Sequence, residues 1–338
     1  MFSPSLKKTG SSPVDSNKNT ITIGMDIGGT NCDIGFVNQH GTCLQHLSLP
    51  TQNGTAFEGF RDAALRLIRE QLRQLPTYQC VAMGIAAPGA NSRNGRVSDP
   101  SNLGWPDVDL TEAFGRYLPF PIYVTNDANA AALGEKKYGA AKDMDNFVLL
   151  TLGTGLGAGI FVDGNLLLGR SGFGGELGHT RISDESRLCG CGQMGCLETY
   201  VSATGLRRTV MELIAKYGQS AGALAHLDFH QLSAERVGVA AADGDILALE
   251  AFEKTGAVLG KKMADWATVL DPEAFILFGG LTRAGEFLLD PVQRSFQKAL
   301  SNFLRDPIPV VLSGVPHGEA AVLGACHISE FLHQIQEV

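Results

Sequence analysis

The chain has 338 residues, 44% hydrophobic and 18% charged, with a formal net charge of −8. That length supports a large core and about two domains, and the acidic balance, with no run of Lys or Arg, argues against a nucleic-acid partner. No apolar run approaches the ~18 residues that cross a bilayer, so no membrane partner is expected.

Residues 1–20 are polar and rich in Ser, Lys and Asn. They lack the apolar centre of a signal peptide and read as a flexible arm on a cytoplasmic chain whose thiols stay reduced. "ITIGMDIGGTNCDIGFV", from Ile21 to Val37, then reads as strand, glycine turn, strand. Asp26 closes the first strand as a carboxylate placed to hold Mg2+. Gly28, Gly29 and Thr30 follow, offering backbone N–H groups and a hydroxyl to an anion such as phosphate. Phe57 to Leu75 has helical periodicity, with Leu65, Ile68 and Leu72 on one face. Val81 to Gly89 is an apolar strand that ends in Pro-Gly.

Ile122 to Asp127 is another short strand, and an Ala-rich helix stopped by Gly139 follows it. Asn126-Asp127 stands at the junction, where the helix macrodipole favours an ionised Asp127. Such a carboxylate suits a general base that takes a proton from a substrate hydroxyl during phosphoryl transfer. Asp also caps helices very often, and the local sequence leaves both roles open.

"FVLLTLGTGLGAGIFVDG", from Phe147 to Gly164, repeats the strand, turn, strand pattern about 120 residues later, which points to two related lobes. Thr154 and Gly155 in its turn are candidates for the second side of a phosphate grip. No Walker-type P-loop occurs. "GGELGHT" and "CGCGQMGC" follow. His179, Cys189, Cys191 and Cys196 give His-x9-Cys-x-Cys-x4-Cys, the donor set of a closed, structural Cys3His zinc site. The Gly-x-Gly-x-x-Gly match inside it, Gly190 to Gly195, has no strand before it and is not a dinucleotide fingerprint. Cys32, Cys43, Cys80 and Cys326 stand apart and read as small core residues. A helix around Ala248 to Leu270 precedes Pro272, and "AFILFGG" is a strand opening into Gly279-Gly280. Alternating strands and helices predict a mostly parallel sheet with its ligands at the strand C-terminal ends.

These residues together resemble the ROK family (repressor, open reading frame, kinase), and within it the bacterial glucokinase members. The resemblance runs from Ile21 almost to the C-terminus and is carried by "DIGGTN", "PG", "SNLGW", "ND", "LGTGLGAG", "GELGH" and "CGCGQMGCLE". It implies an α/β fold of the duplicated ribonuclease-H-like, actin-like ATPase type, with two lobes and an interlobe cleft. The expected lobes are 21–134 and 135–315, with a helix in 316–338 packing back on the first. The implied activity is ATP-dependent phosphorylation of a hexose at its primary 6-hydroxyl, with Mg2+ and a structural zinc.

By the same resemblance Asp127 is the base, and Asn126, Glu176, His179 and Glu198 bind other hydroxyls. Gly89, Ser101 and Asn102 border the sugar. Asp26, Gly28, Gly29 and Thr30 serve Mg2+ and phosphates with Thr154 and Gly155, while Gly279 and Gly280 flank the adenosine. His179 then has two compatible tasks, one ring nitrogen on zinc and the other donating to a hydroxyl.

"SNLGW" and "GELGH" favour glucose; N-acetylmannosamine, N-acetylglucosamine and fructose kinases of the family share nearly all these residues. The segment "ANSRNGR", with Asn91, departs from the glucokinase pattern beside the sugar. Repressor members carry a helix-turn-helix ahead of the first strand, where this chain has only polar residues, so DNA binding is not expected. An actin-like chaperone ATPase fits the turns but not the Cys knuckle. A homodimer is the family default.

Overall fold

A computed structural model describes residues 19–51, 56–98, 103–182, 187–218, 222–304, 306–315 and 320–332. Ser101 and Asn102 lie outside the described residues. The chain divides into two compact units, with the divisions after Gly134 and before Gly318.

The first unit opens with strands β1 (Asn19–Ile27), β2 (Asn31–Asn38) and β3 (Cys43–Pro50), followed by helix α1 (Phe57–Gln74) and strand β4 (Tyr78–Ala86). A two-stranded ribbon, β5 (Arg96–Val97) and β6 (Val108–Asp109), leads through α2 (Leu110–Gly115) to β7 (Ile122–Thr125). The sheet order is β3-β2-β1-β4-β7. Ile21, Ile23, Met25 and Ile27 alternate inward along β1 and are buried with Ile34 and Phe36 of β2 and with Phe57, Phe60, Ala64, Leu65 and Ile68 of α1. The predicted face of α1 is thus the buried one, although Leu72 is only partly covered. Phe60 meets Trp105 at 4.8 Å and Phe57 meets it edge-on at 5.2 Å.

The opposite parity of β1 faces helix α8 (Ala320–Leu332), which also belongs to the first unit. Here glycine is needed: a Cβ on Gly24 or Gly84 would run into the backbone carbonyls of Val322 and Ala325. The helix therefore seats directly on strand backbone, and an alanine at either position would push it off.

Helix α3 (Asp127–Tyr138) starts in the first unit and ends in the second. The second unit repeats the topology. Its strands are β8 (Phe147–Leu152), β9 (Leu156–Val162), β10 (Asn165–Leu166), β11 (Ala274–Phe278) and β12 (Val310–Leu312), ordered β10-β9-β8-β11-β12. Helices α4 (Ala203–Tyr217), α5 (Ala234–Ala242), α6 (Ile246–Leu270) and α7 (Glu286–Ala299) share the core of this sheet. Phe147 and Phe161 are direct cross-strand partners, stacked at 4.7 Å, a pairing that adds to register as well as to burial. Asp245 caps α6, and Asp271 ends it in the left-handed conformation one residue before Pro272. Glu135 is wholly buried. Its carboxylate accepts N–H groups from Ala140, Gly314 and Val315 at 2.7, 3.2 and 3.3 Å, plus the Ser313 hydroxyl.

Two expectations need correction. Each sheet is mixed instead of mostly parallel, because β1-β2-β3 and β8-β9-β10 are antiparallel meanders and only β1-β4-β7 and β8-β11-β12 run parallel. The glycine turns force this: a two- or three-residue turn can only return the chain antiparallel. Cys43 is not a core residue either; it opens the edge strand β3 and is exposed, whereas Cys32 and Cys326 are buried and Cys80 is half-buried.

Candidate active site

In the first unit, register puts Asp26, Ala86 and Thr125 in one row across three parallel strands. The polar residues that follow those strands therefore gather at one sheet edge, as open α/β sheets arrange their ligand sites. Asp26 lies opposite Asp33 in the β1-β2 ladder. Its pKa is pushed up to about 7, first by burial and then by the neighbouring charges of Asp127 and Asp33. Three carboxylates thus converge, which suits a divalent cation and is costly without one. Gly28 and Thr30 turn the chain into β2; the Gly28 N–H reaches the Asn31 carbonyl at 2.9 Å, and Thr30 is exposed.

The cost has a sign. A carboxyl whose folded pKa lies above its ordinary value subtracts stability as pH rises from the ordinary range through 7. In the absence of divalent cations, Asp26→Asn is therefore expected to stabilise the protein by about 2 kcal/mol at pH 8, a figure discounted for partial exposure. The gain should vanish near pH 4. Urea melts at both pH values check this, and equal stabilities at pH 8 would refute the crowding of charge.

Asn126, not Asp127, caps α3. Its Oδ1 accepts the Asn129 N–H at 2.7 Å. Asp127 is the first helical residue, and its carboxylate accepts the next N–H, from Ala128, at 2.9 Å. Burial raises its pKa, partly offset by that N–H. The direction is opposite to the one the macrodipole alone would give. The residue as a whole is nevertheless exposed. Gly89 has φ +68° and begins the turn after β4. Asn91 is buried, and its Oδ1 accepts the Arg93 N–H at 2.9 Å. It builds the 91–96 turn.

In the second unit, Thr154 and Gly155 form the turn after β8, and Gly279 follows β11, the parallel neighbour of β8. Gly279 has φ +107°, and a Cβ there would lie 2.6 Å from the Leu152 carbonyl. The Gly153–Gly155 turn and Gly279 are thereby drawn together at the ends of β8 and β11. Gly280 opens a 3-10 turn to Ala284 with open space beside it. A Cβ on Gly155 would lie 2.8 Å from Glu198 Oε2, so this glycine leaves room for the acid.

The four proposed metal donors come together. His179, Cys189, Cys191 and Cys196 each offer one atom, all within 4.8 Å of one another. Cys191 Sγ and Cys196 Sγ are 3.6 Å apart, and Cys189 Sγ lies 3.7 Å from His179 Nδ1. A tetrahedron with Zn–S of ~2.3 Å and Zn–N of ~2.0 Å has edges of ~3.8 and ~3.5 Å, so the donors fit that ion. Burial raises the Cys189 and Cys196 thiols, and the Gln193 backbone N–H lowers that of Cys191. A cation at this centre would ionise all three. Backbone bridges Leu188–Met194 and Arg181–Cys196 close the loop as a small hairpin. Among the described residues no named strand lies directly before it.

His179 Nε2 points the other way, 3.9 Å from Glu176 Oε2. Glu198 Oε1 lies 2.9 Å from Cys189 Sγ and 3.8 Å from His179 Nδ1. Two carboxylates and an imidazole N–H thus stand beside the knuckle, a set that can accept from and donate to vicinal hydroxyls.

The description "ROK family" belongs to a family model that matches residues 22–330. The chain is a member of the ROK family. It is 34% identical over 313 residues to the glucokinase of Streptomyces coelicolor, covering 91% of this chain and 97% of that one. The structure of a ROK family glucokinase from Streptomyces griseus in complex with glucose and AMPPNP is 32% identical, with a TM-score of 0.76, and the match covers 91% of this chain and 98% of that one. A ROK family transcriptional regulator, homolog of the Escherichia coli Mlc protein, is 28% identical with a TM-score of 0.82, and the match covers 94% of this chain and 79% of that one. The actin-like, duplicated fold of these ROK structures is the fold of this chain.

Two residues of this ROK protein escaped the sequence reading, Glu135 and Arg187. Each works through partners brought near only by folding, and the one local hint is that Arg187 stands two residues before Cys189.

Proposed function

We propose that this ROK protein is a sugar kinase that transfers the γ-phosphoryl group of ATP to the primary 6-hydroxyl of glucose. The observation that carries the reading is the 34% identity to a glucokinase across nearly the whole of both chains. Asp127 is the general base. The hydroxyl oxygen attacks the γ-phosphorus, its proton passes to the Asp127 carboxylate, and ADP leaves. The raised proton affinity of Asp127 helps it take that proton. Asn126 keeps its amide N–H groups for a hydroxyl while its oxygen caps α3. Gly28, Gly29, Thr30, Thr154 and Gly155 present N–H and hydroxyl donors to phosphate, with Gly279 and Gly280 beside the adenosine. Asp26 would hold Mg2+, which when bound would supply positive charge to the transferring phosphates.

His179, Cys189, Cys191 and Cys196 would hold a structural zinc, which when bound would keep the imidazole neutral and fixed in orientation. His179 then donates from Nε2 to a sugar hydroxyl, and Glu176 and Glu198 accept from others. Gly89, with Ser101 and Asn102, borders the sugar. The protein works in the cytoplasm as a homodimer; among the described residues no helix is long and apolar enough to cross a membrane.

A sugar-binding regulator without turnover is the second reading, favoured by the likeness to the ROK regulator. Coupled detection of ADP separates the two. With MgATP and metal-loaded protein, glucose is expected to give the highest kcat/KM among glucose, mannose, fructose, N-acetylglucosamine and N-acetylmannosamine. A higher value for an N-acetylhexosamine would change the substrate and keep the chemistry. Binding of sugar with no ADP from any of them would leave the regulator.

A further inference from the structure

Arg187 stands at the foot of the knuckle hairpin with its side chain only 11% exposed. All five of its guanidinium N–H groups have acceptors. Nε meets Glu212 Oε1 at 2.9 Å and Nη2 meets Glu212 Oε2 at 2.6 Å, a two-pronged fork. Nη2 also reaches Thr209 Oγ1 at 2.9 Å, and Nη1 donates to the carbonyls of Thr199 at 2.7 Å and Gly205 at 3.1 Å. The guanidinium lies 4.2 Å over the Tyr200 ring. The backbone joins in: the Arg187 N–H donates to the Tyr200 hydroxyl at 3.0 Å, and its carbonyl accepts the Gly195 N–H at 2.9 Å.

One residue therefore ties together three elements. The first is the return strand of the hairpin at Gly195, next to Cys196. The second is the 3-10 turn Leu197–Thr199, which carries Glu198. The third is α4, through Gly205, Thr209 and Glu212. We infer that Arg187 is a positioning residue: it sets the spacing between Cys196 in the metal site and Glu198 beside it, and so shapes the wall that recognises sugar hydroxyls. The inference rests on the proposed sugar and zinc roles of that wall. Lysine cannot replace it, because a point ammonium has neither the five fixed donors nor a plane to stack on Tyr200. Groups that hydrogen-bond metal ligands directly typically change metal affinity by about 10–100-fold when lost; Arg187 acts one step further out, through Gly195 and Thr199, so the low end of that range is expected.

The test compares Arg187→Lys and Glu212→Gln with the wild-type protein loaded with zinc. Transfer of zinc to a chromophoric chelator is followed in time, glucose and MgATP binding are measured separately by calorimetry, and circular dichroism reports folding. Arg187→Lys is expected to release zinc about tenfold faster and to weaken glucose binding by about tenfold, with MgATP affinity within about twofold. Glu212→Gln should shift both in the same direction by about two- to threefold, because it loosens one prong only. A merely structural arginine predicts otherwise. A lower melting temperature with unchanged zinc release and glucose affinity would overturn the inference, as would equal weakening of glucose and MgATP. Should Arg187→Lys fail to fold, Glu212→Gln decides alone: faster zinc release supports the role and an unchanged rate overturns it. Zinc release needs no catalysis, so a protein that binds no sugar would sink the kinase reading and leave this readout intact.

Discussion

Asp127→Asn is expected to lower kcat by about 10³-fold while glucose affinity stays within about threefold. The two numbers separate because the proposed mechanism gives the carboxylate one chemical task and the structure gives it few structural ones. Asn126 satisfies the first turn of α3 through the Asn129 N–H, so helix capping does not depend on the next residue. An Asn at position 127 keeps an oxygen that can still accept the Ala128 N–H. It cannot take a proton from a hydroxyl. Circular dichroism and the melting temperature should change little. Steady-state kinetics with calorimetry of glucose checks the split, and an unchanged kcat would remove Asp127 from the mechanism.

Removing the metal should act on the other substrate parameter. Dialysis against a strong chelator, or Cys196→Ser, is expected to weaken glucose binding by about two orders of magnitude while MgATP still binds. The reason is electrostatic and geometric. Cys189, Cys191 and Cys196 converge with His179 on one point, and three thiols that close need a cation if all are to ionise and hold the loop. Without it the loop relaxes, His179 loses its fixed tautomer, and Glu198, 2.9 Å from Cys189 Sγ, loses its neighbour. Overall folding should survive, because the core of this unit is built on β8, β11 and α4–α7. Returning zinc to the chelated protein should restore glucose binding; recovery without any metal would contradict the role.

Much of the fold was legible because local chemistry and global fold agree. The face of α1, the stop of α3 at Gly139 and the end of α6 before Pro272 follow from periodicity and from residues that cannot continue a helix. The echo of Ile21–Val37 in Phe147–Gly164 became two sheets of one topology. The mixed pairing could have been read from the same turns, since a hairpin excludes parallel neighbours. The convergence of His179 with the three cysteines was legible because their spacing is short and thiols are rare.

What stayed hidden depends on distance in sequence. Glu135 meets residues 313–315, and Arg187 meets α4; neither contact leaves a pattern in the chain. The pKa of Asp127 went the other way from expectation because burial is a property of the folded surroundings, whereas the macrodipole is visible from the helix alone. The exposure of Cys43 follows from its place on the edge strand, which only the sheet order reveals.

The chemistry proposed for this protein is transfer of a phosphoryl group from ATP to the primary hydroxyl of a hexose. Carbon-13 NMR of uniformly labelled glucose incubated with MgATP and the zinc-loaded protein tests it most directly. Phosphorus coupling should appear at C6 as ADP accumulates in equal amount. Coupling at another carbon, or ADP formed at the same rate without glucose, would contradict the account.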